Sequence, residues 1–182
     1  MTKVVIIGGG HAGANTAFAL RKDGFDGDIN IFCDESYLPY HRPPLSKDFL
    51  KQQVEEDKLS FKSAEFYNDQ NISVHLNTRI NSIDLGSNKV STDNASFDFD
   101  YLVFATGATP RLLPMENADA ENLFYLREIS DVLSLQKLTN AGKKIVLIGG
   151  GYIGLEVASA MIEMGLEVTI LESEDRILKR VT

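Results

Sequence analysis

Two stretches of the chain share one glycine pattern, GGGHAGANTAF at residues 8–18 and GGGYIGLEVAS at residues 149–159. Each directly follows a short apolar run, KVVII at 3–7 and KIVLI at 144–148. In a turn of the type G-x-G-x-x-G, the first glycine allows the tight bend and the second lets a pyrophosphate approach the backbone. The third lets the helix pack closely on the strand. The chain is therefore predicted to contain two phosphate-binding turns of the same kind.

The residues around both turns repeat the same plan. The predicted elements are strand 3–7, helix 11–23 and strand 28–33 in the first copy, and strand 144–148, helix 152–164 and strand 167–171 in the second. Buried β-branched strands that alternate with helices are typical of parallel sheets. The predicted fold class is α/β, with two Rossmann-like βαβ units, each of which would bind a dinucleotide. The glycines assigned to the turns are Gly8, Gly10 and Gly13, and Gly149, Gly151 and Gly154.

The region between the two copies has a different character. Residues 49–71 are charged and are predicted to be helical in pieces. Further elements are predicted as short strands at 72–76, 79–85, 89–93 and 96–100 with a hairpin turn at 86–88, an apolar strand from 101 that breaks at Gly107 and Pro110, and a helix at 129–140 with Ser130 near its N-cap. We expect a small antiparallel β insertion here.

An acidic residue follows the second strand of each copy. The candidates are Asp34 or Glu35 in the first copy and Glu172 in the second. A carboxylate at this place accepts hydrogen bonds from the ribose hydroxyls of an adenosine. Two such sites in series suggest electron transfer between two dinucleotides, one carrying a nicotinamide and the other a flavin.

Charge and composition exclude several classes of function. The 182 residues include 18 Lys and Arg against 26 Asp and Glu, so the net charge is −8. This disfavours duplex nucleic acid and anionic membranes as partners. The single cysteine, Cys33, excludes an intramolecular disulfide and is predicted to be a buried thiol. No cluster has metal-ligand spacing and no apolar run approaches about 18 residues, so we expect a cytoplasmic protein without a metal.

Beyond the glycine turns, two motifs carry a resemblance to a known family. LPYHRPPLSKDFL at 38–50 and FATGATPR at 104–111, together with the second glycine turn, resemble the FAD-dependent NADH:ferredoxin and rubredoxin reductases of oxygenase and P450 systems. The chain has neither the CxxxxC of glutathione-reductase-like enzymes nor the CxxC of thioredoxin reductases. Apoptosis-inducing-factor-like flavoproteins and monodehydroascorbate reductases share much of the pattern and stay open as alternatives.

The resemblance implies FAD and NADH as cofactors and a small iron–sulfur acceptor, ferredoxin or rubredoxin, as partner. It prefers Asp34 to Glu35 for the FAD ribose. The residues that it places around FAD are Gly8, Gly10, His11, Ala12, Gly13, Asp34, Arg42, Pro44, Lys47, Ile80, Ala105, Thr106, Gly107 and Arg127. The residues assigned to NADH are Gly149, Gly151, Tyr152, Ile153, Gly154 and Glu172.

The resemblance also suggests two residues for the chemistry. Lys47 would lie beside the reactive ring of the flavin, and Glu156 on the second helix would pair with it. Such a pair keeps both groups charged, and the lysine would then stabilise negative charge that develops on the flavin.

Members of this family are more than twice as long as the present chain. The predicted domains are therefore residues 1–110, an FAD-binding domain without its return segment, and residues 111–182, the start of an NAD-binding domain. For such an N-terminal part we expect weak FAD retention and self-association through exposed sheet or helix faces. Binding of nucleotides without turnover is the competing function.

Overall fold

A computed structural model describes residues 1–114, 116 and 120–179 of the chain, in two compact units. The first unit comprises Met1–His41 and Ser60–Ala108, and the second comprises Arg42–Leu59 and Thr109–Thr182. Residues 42–59 thus belong structurally to the second unit, although they lie within the stretch 1–110 that the sequence analysis assigned to the first domain.

Nine strands and four helices lie within the described residues of the two units. The strands are β1 (Lys3–Ile7), β2 (Asp28–Phe32), β3 (Ile72–His75), β4 (Ser82–Asp84), β5 (Lys89–Ser91), β6 (Ser96–Asp98), β7 (Tyr101–Phe104), β8 (Lys144–Ile148) and β9 (Glu167–Leu171). The helices are α1 (His11–Lys22), α2 (Ala64–Asp69), α3 (Ile129–Gln136) and α4 (Tyr152–Glu163). Short 3-10 turns lie at Pro43–Ser46 and Glu56–Leu59.

The first unit is built on a parallel sheet with the strand order β3-β2-β1-β7. The predicted strand at 72–76 joins this sheet beside β2. The core of the first unit is apolar. The residues with no exposed surface include Val5, Ile6 and Ile31 in the sheet and Ala14 and Ala17 on α1. Small alanines let α1 approach the sheet closely, which fixes the direction in which the start of the helix points.

A small antiparallel sheet, β4-β5-β6, completes the first unit and confirms the predicted insertion. Val90 of β5 and Phe99 pack with Phe32 and Val5 of the parallel sheet in one apolar cluster. His75 of β3 stacks on the Phe32 ring, with ring centroids 4.5 Å apart. Burial lowers the pKa of this imidazole.

The second unit contains a two-stranded parallel sheet, β8-β9, with α4 as the crossover helix. The helix predicted at 129–140 is shorter, and its N-cap is Glu128, not Ser130. The Asp131 carboxylate accepts hydrogen bonds from the backbone N–H groups of Arg127 and Glu128, both at 2.8 Å. This reciprocal capping box fixes the start of α3 two residues earlier than a cap at Ser130 would.

Exposed apolar side chains lie along open sheet edges in each unit. On β7, at one edge of the first sheet, Tyr101 and Phe104 are 62% and 65% exposed. On the second sheet, Val146, Ile148 and Leu171 are 52% to 57% exposed. Unpaired edges with apolar side chains promote association between chains.

Self-association is therefore expected to increase with concentration. Sedimentation velocity over a hundredfold range of concentration should show a rising average mass, and Phe104→Lys with Val146→Lys should reduce it. A single monomeric species across the whole range would contradict this prediction.

Candidate dinucleotide sites

The first glycine turn joins β1 to α1, and its three glycines have different surroundings. Gly8 has a φ of +113°, which favours glycine, and its N–H donates to the Phe32 carbonyl at 2.8 Å. A Cβ on Gly13 would lie 2.0 Å from the Gly8 carbonyl oxygen, so only glycine lets α1 begin this close to the strand. A Cβ on Gly10 would meet no heavy atom within 4 Å.

The second glycine turn joins β8 to α4 with nearly the same geometry. Gly149 has a φ of +109°, and its N–H donates to the Leu171 carbonyl at 2.8 Å. A Cβ on Gly154 would lie 2.1 Å from the Gly149 carbonyl oxygen, whereas a Cβ on Gly151 would meet nothing within 4 Å. The predicted repeat thus extends from the glycine spacing to the detailed shape of the turns.

Both turns fit a dinucleotide pyrophosphate. Open space lies above the middle glycine of each, and neither α1 nor α4 has an acidic residue in its first turn. The first N–H groups of a helix have no partner within the helix, and the helix dipole favours an anion there. No carboxylate in the first helical turn of α1 or α4 competes with a ligand for these N–H groups.

The beginning of α1 is flanked by aromatic rings. His11, its first residue, lies edge-on to His41 and Phe61, with ring centroids 5.7 Å and 4.7 Å away. Nothing in the sequence pairs His41 with His11, because the contact depends on the path of the chain. Ala12, next to His11, is exposed at the same helix end.

The acidic residues after β2 differ from each other in their surroundings. Asp34 is exposed, whereas the Glu35 carboxylate accepts a hydrogen bond from the Tyr40 hydroxyl at 2.6 Å. Cys33 precedes them and is buried beneath the turn, where a Cβ on Gly9 would lie 2.2 Å from its sulfur. Burial raises the pKa of this thiol to about 12, so it is a structural residue, as predicted.

The acid after β9 is held by the second turn itself. The Glu172 carboxylate accepts hydrogen bonds from the N–H of Gly150 at 2.7 Å and of Glu174 at 3.0 Å. These bonds, the one from Glu174 first, lower the pKa of Glu172. In the strand register Glu172 corresponds to Cys33, because Leu171 and Phe32 both end their strands beside the glycine turn.

Residues after β7 lie under the first turn. Ala105 donates its N–H to the Ile7 carbonyl at 2.8 Å, and a Cβ on Gly8 would lie 2.2 Å from the Ala105 carbonyl oxygen. Thr106 follows, and Gly107 adopts a φ of +68° that turns the chain away. Ile80 lies just before β4 and packs against the cluster around Phe32.

The motif RPPLSK belongs to the second unit. Arg42 donates to the Arg127 carbonyl oxygen at 2.7 Å, and Pro44 lies in the 3-10 turn that follows. The predicted ion pair is present, with Lys47 Nζ 3.0 Å from Glu156 Oε1. The pair is less withdrawn from water than expected, since the two side chains are 47% and 33% exposed.

Ser46 also belongs to this group, although nothing in the sequence indicates it. The Ser46 hydroxyl donates to Glu156 Oε2 at 2.6 Å. The bond from Ser46 is the largest cause that lowers the pKa of Glu156, and Lys47 lowers it further. Burial raises the pKa, but the net effect leaves it below its usual range.

Several further contacts fix the segment 42–59 on the helices of the second unit. Lys51 pairs with Glu163 of α4 at 2.9 Å, and Gln136 of α3 donates to the Phe49 carbonyl oxygen at 2.6 Å. Phe49 and Leu50 are buried. The start of α4 is different, because Tyr152 and Ile153 are 58% and 56% exposed and accessible to a ligand.

The described part of the chain has neither a metal-binding cluster nor a membrane-spanning helix. No group of three or more His, Cys, Asp and Glu side chains in residues 1–114, 116 and 120–179 is arranged to hold a metal ion. Over the same residues, each helix is too short or too polar to cross a bilayer.

Comparison with known proteins supports the family predicted from the motifs. The chain is 42% identical over 179 residues to rubredoxin-NAD(+) reductase of Ectopseudomonas oleovorans, covering 98% of this chain and 46% of that protein. It is 39% identical over 183 residues to putidaredoxin reductase of Pseudomonas putida, covering 98% of this chain and 43% of the relative. The chain thus spans less than half the length of the curated relatives it matches.

The fold agrees with solved structures. The crystal structure of the covalent putidaredoxin reductase–putidaredoxin complex matches with a TM-score of 0.95 and 38% identity, over 100% of this chain and 44% of that one. A ferredoxin reductase from Rhodopseudomonas palustris also matches at 0.95, with 37% identity, over 100% of this chain and 45% of that one. The family model described as pyridine nucleotide-disulphide oxidoreductase matches residues 2–182. The chain belongs to the pyridine nucleotide-disulphide oxidoreductase family.

Proposed function

We propose that the protein acts as a flavoprotein reductase, in which NADH at the second glycine turn reduces FAD at the first. The electrons would then pass to a ferredoxin or rubredoxin. The observation that carries this proposal is the pair of matching glycine turns. In each turn the third glycine has no room for a Cβ, whereas the space above the second glycine is open. A bound FAD would supply the chemistry that accepts a hydride and releases electrons one at a time.

FAD is assigned to the first unit. Gly8, Gly10 and Gly13 with the start of α1 would hold the pyrophosphate. Asp34 is preferred as the ribose ligand, because it is exposed whereas Glu35 is engaged by Tyr40. The remaining proposed FAD contacts of the first unit are His11, Ala12, Ile80, Ala105, Thr106 and Gly107. Residues 1–110 and 111–182 stay our proposed FAD and NAD domains. The family resemblance proposes Arg42, Pro44, Lys47 and Arg127 as further flavin contacts.

The acceptor is proposed from the relatives. Relatives are named rubredoxin and ferredoxin reductases, and one structural match holds a putidaredoxin partner. A small iron–sulfur protein is the partner class that fits these names. A cytoplasmic location is part of the proposal and rests on the single, buried cysteine.

The direct test is reduction of bound flavin. The protein is kept in excess FAD and mixed with NADH without oxygen, and a sample of FAD alone at the same concentration corrects for the unbound flavin. The proposed function predicts saturable loss of the flavin absorption, and Gly151→Val should abolish it by filling the second turn. Full FAD occupancy without bleaching would instead support the competing function, binding without turnover.

NADH should be preferred to NADPH. Two backbone N–H groups hold the Glu172 carboxylate in place. A carboxylate at this position can accept hydrogen bonds from the ribose hydroxyls of NADH, and its negative charge would repel the 2′-phosphate of NADPH. Its lowered pKa keeps this charge through the neutral range. Titration should show at least about tenfold tighter binding of NADH, and Glu172→Gln should narrow the ratio. Equal affinities in the unchanged protein would contradict the assignment.

Lys47→Ala should slow the NADH-driven reduction of bound FAD by at least about tenfold, equivalent to ~1.4 kcal/mol of barrier. The reason is the loss of the cation that Glu156 holds at 3.0 Å. Lys58→Ala is the matched control, because Lys58 lies in the same segment and its pair with Asp57 is 73% and 70% exposed. Stopped-flow reduction of FAD-loaded Lys47→Ala at the original rate would rule out this role.

A further inference from the structure

Ser46 is a buried polar residue to which the proposed function gives no task. The whole residue is only 5% exposed. Its hydroxyl oxygen lies 2.6 Å from Glu156 Oε2 and 3.5 Å from the Pro43 carbonyl oxygen. A hydroxyl has one proton to donate. The shorter contact, to a charged acceptor, identifies Glu156 as the partner.

Glu156 uses both carboxylate oxygens for residues of the same 3-10 turn region. Oε2 accepts from Ser46, and Oε1 lies 3.0 Å from the Lys47 ammonium. An ion pair between two long and partly exposed side chains is weak, because both must be held in one conformation. Serine has a single side-chain torsion, and the turn at Pro43–Ser46 fixes its backbone. The short residue can therefore fix the long ones.

We propose that Ser46 is a positioning residue that holds the Glu156 carboxylate in the orientation that pairs with Lys47. Its importance for hydride transfer rests on the proposed function, since Lys47 is the group that would face the flavin. The serine would act only through Glu156.

A second ion pair on the same two elements provides a contrast. Lys51 and Glu163 pair at 2.9 Å, but Lys51 is only 16% exposed and also pairs with Asp48 at 3.4 Å. Among the described residues, the hydrogen bond to Glu163 comes from Lys51, and no serine hydroxyl donates to this carboxylate. The Lys51–Glu163 pair anchors the segment to α4 without a serine hydroxyl. Glu163→Gln therefore removes one carboxylate of α4 without affecting Ser46, and it serves as a matched control.

The arrangement makes the Lys47 site sensitive to pH. Besides Glu156, the charged groups on the two packed elements are Arg42, Lys47, Asp48, Lys51, Glu55, Glu56, Asp57 and Lys58 in the segment and Glu163 on α4. Of these, Lys47 forms the ion pair with Glu156. Ser46 and then Lys47 lower the pKa of Glu156. The ion pair of Glu156 with Lys47 is therefore fully formed at pH values above the usual pKa of a glutamate. It is lost as the pH falls through the lowered pKa of Glu156. Removing the serine hydroxyl should move this loss to higher pH.

Carbon-13 NMR titration of the Glu156 carboxyl tests the inference without any cofactor. Protein with labelled glutamate is titrated, and Glu156→Gln identifies the resonance by its absence. Ser46→Ala should shift the midpoint to higher pH, Ser46→Thr should restore it, and Glu163→Gln should leave it unchanged. An unchanged midpoint in folded Ser46→Ala would overturn the inference. Ser46→Cys, of similar size with a weaker donor, gives the same decision if the alanine variant does not fold.

Flavin reduction separates this inference from the proposed function. In FAD-loaded Ser46→Ala, the reduction rate should fall about threefold at neutral pH, with its acidic decline displaced to higher pH. If the unchanged protein holds FAD but is not reduced by NADH, the proposed function fails and the titration alone decides the role of Ser46. A shifted titration with an unchanged rate and pH profile would overturn the role of Ser46 in the reaction.

Discussion

Gly13→Ala is expected to destabilise the first unit by about 3 kcal/mol, whereas Gly10→Ala is expected to leave stability nearly unchanged. The two glycines lie in one turn, but a Cβ on Gly13 would come within 2.0 Å of the Gly8 carbonyl oxygen. That oxygen belongs to the backbone at the end of β1 and cannot move without displacing α1 from the sheet. A Cβ on Gly10 would meet no protein atom within 4 Å, and its φ of −77° suits alanine.

For FAD affinity, Gly10→Ala should be the damaging substitution. It puts a methyl group into the space proposed for the pyrophosphate, so FAD affinity should fall at least about tenfold while the urea unfolding curve stays unchanged. Urea unfolding followed by far-UV circular dichroism, together with FAD titration, measures both effects. Equal stability of the two variants would contradict the packing role of Gly13, and unchanged FAD affinity in Gly10→Ala would contradict the site.

Arg21→Ala is expected to cost about 3 kcal/mol of the free energy of unfolding. The Arg21 guanidinium donates to four backbone carbonyl oxygens at 2.6 to 2.8 Å, those of Phe25, Gly27, Gln70 and Asn71. These acceptors lie in the loop after α1 and in the turn between α2 and β3. One partly buried side chain therefore joins the end of the site helix to two loops.

Lysine cannot replace this arginine, because an ammonium lacks the planar fork that reaches four acceptors. Arg21→Lys should therefore recover less than half of the lost stability. Lys22→Ala removes the neighbouring, exposed cation and should change stability by no more than about 0.5 kcal/mol. Urea unfolding of the three variants measures the differences. Similar midpoints for Arg21→Ala and Lys22→Ala would show that the carbonyl contacts contribute little.

The two βαβ units were predictable from the sequence because their signals are local. β-branched runs, glycine turns and glycine stops lie next to each other in the chain, and strands β1, β8 and β9 have the predicted bounds. The ion pair of Lys47 and Glu156 was predictable only through the family resemblance, since the residues are far apart in sequence.

Other features depend on the path of the chain and have no local signal. Ser46 precedes a lysine of the motif and gives no sign in the sequence that it reaches Glu156. The assignment of residues 42–59 to the second unit depends on packing of Phe49 and Leu50, not on a composition change. The end of α3 at Gln136 was missed because the hydroxyl of Thr139 bonds to the Gln136 carbonyl oxygen and competes with the helix.

We expect the chain to have two separate dinucleotide sites, one for FAD and one for NADH. Amide NMR of the nitrogen-15-labelled protein, titrated with each ligand in turn, distinguishes two sites from one. FAD should perturb the amides of Gly8–Gly13, NADH should perturb those of Gly149–Gly154, and each ligand should still bind after the other. Perturbation of one and the same turn by both ligands, or displacement of one ligand by the other, would contradict the claim.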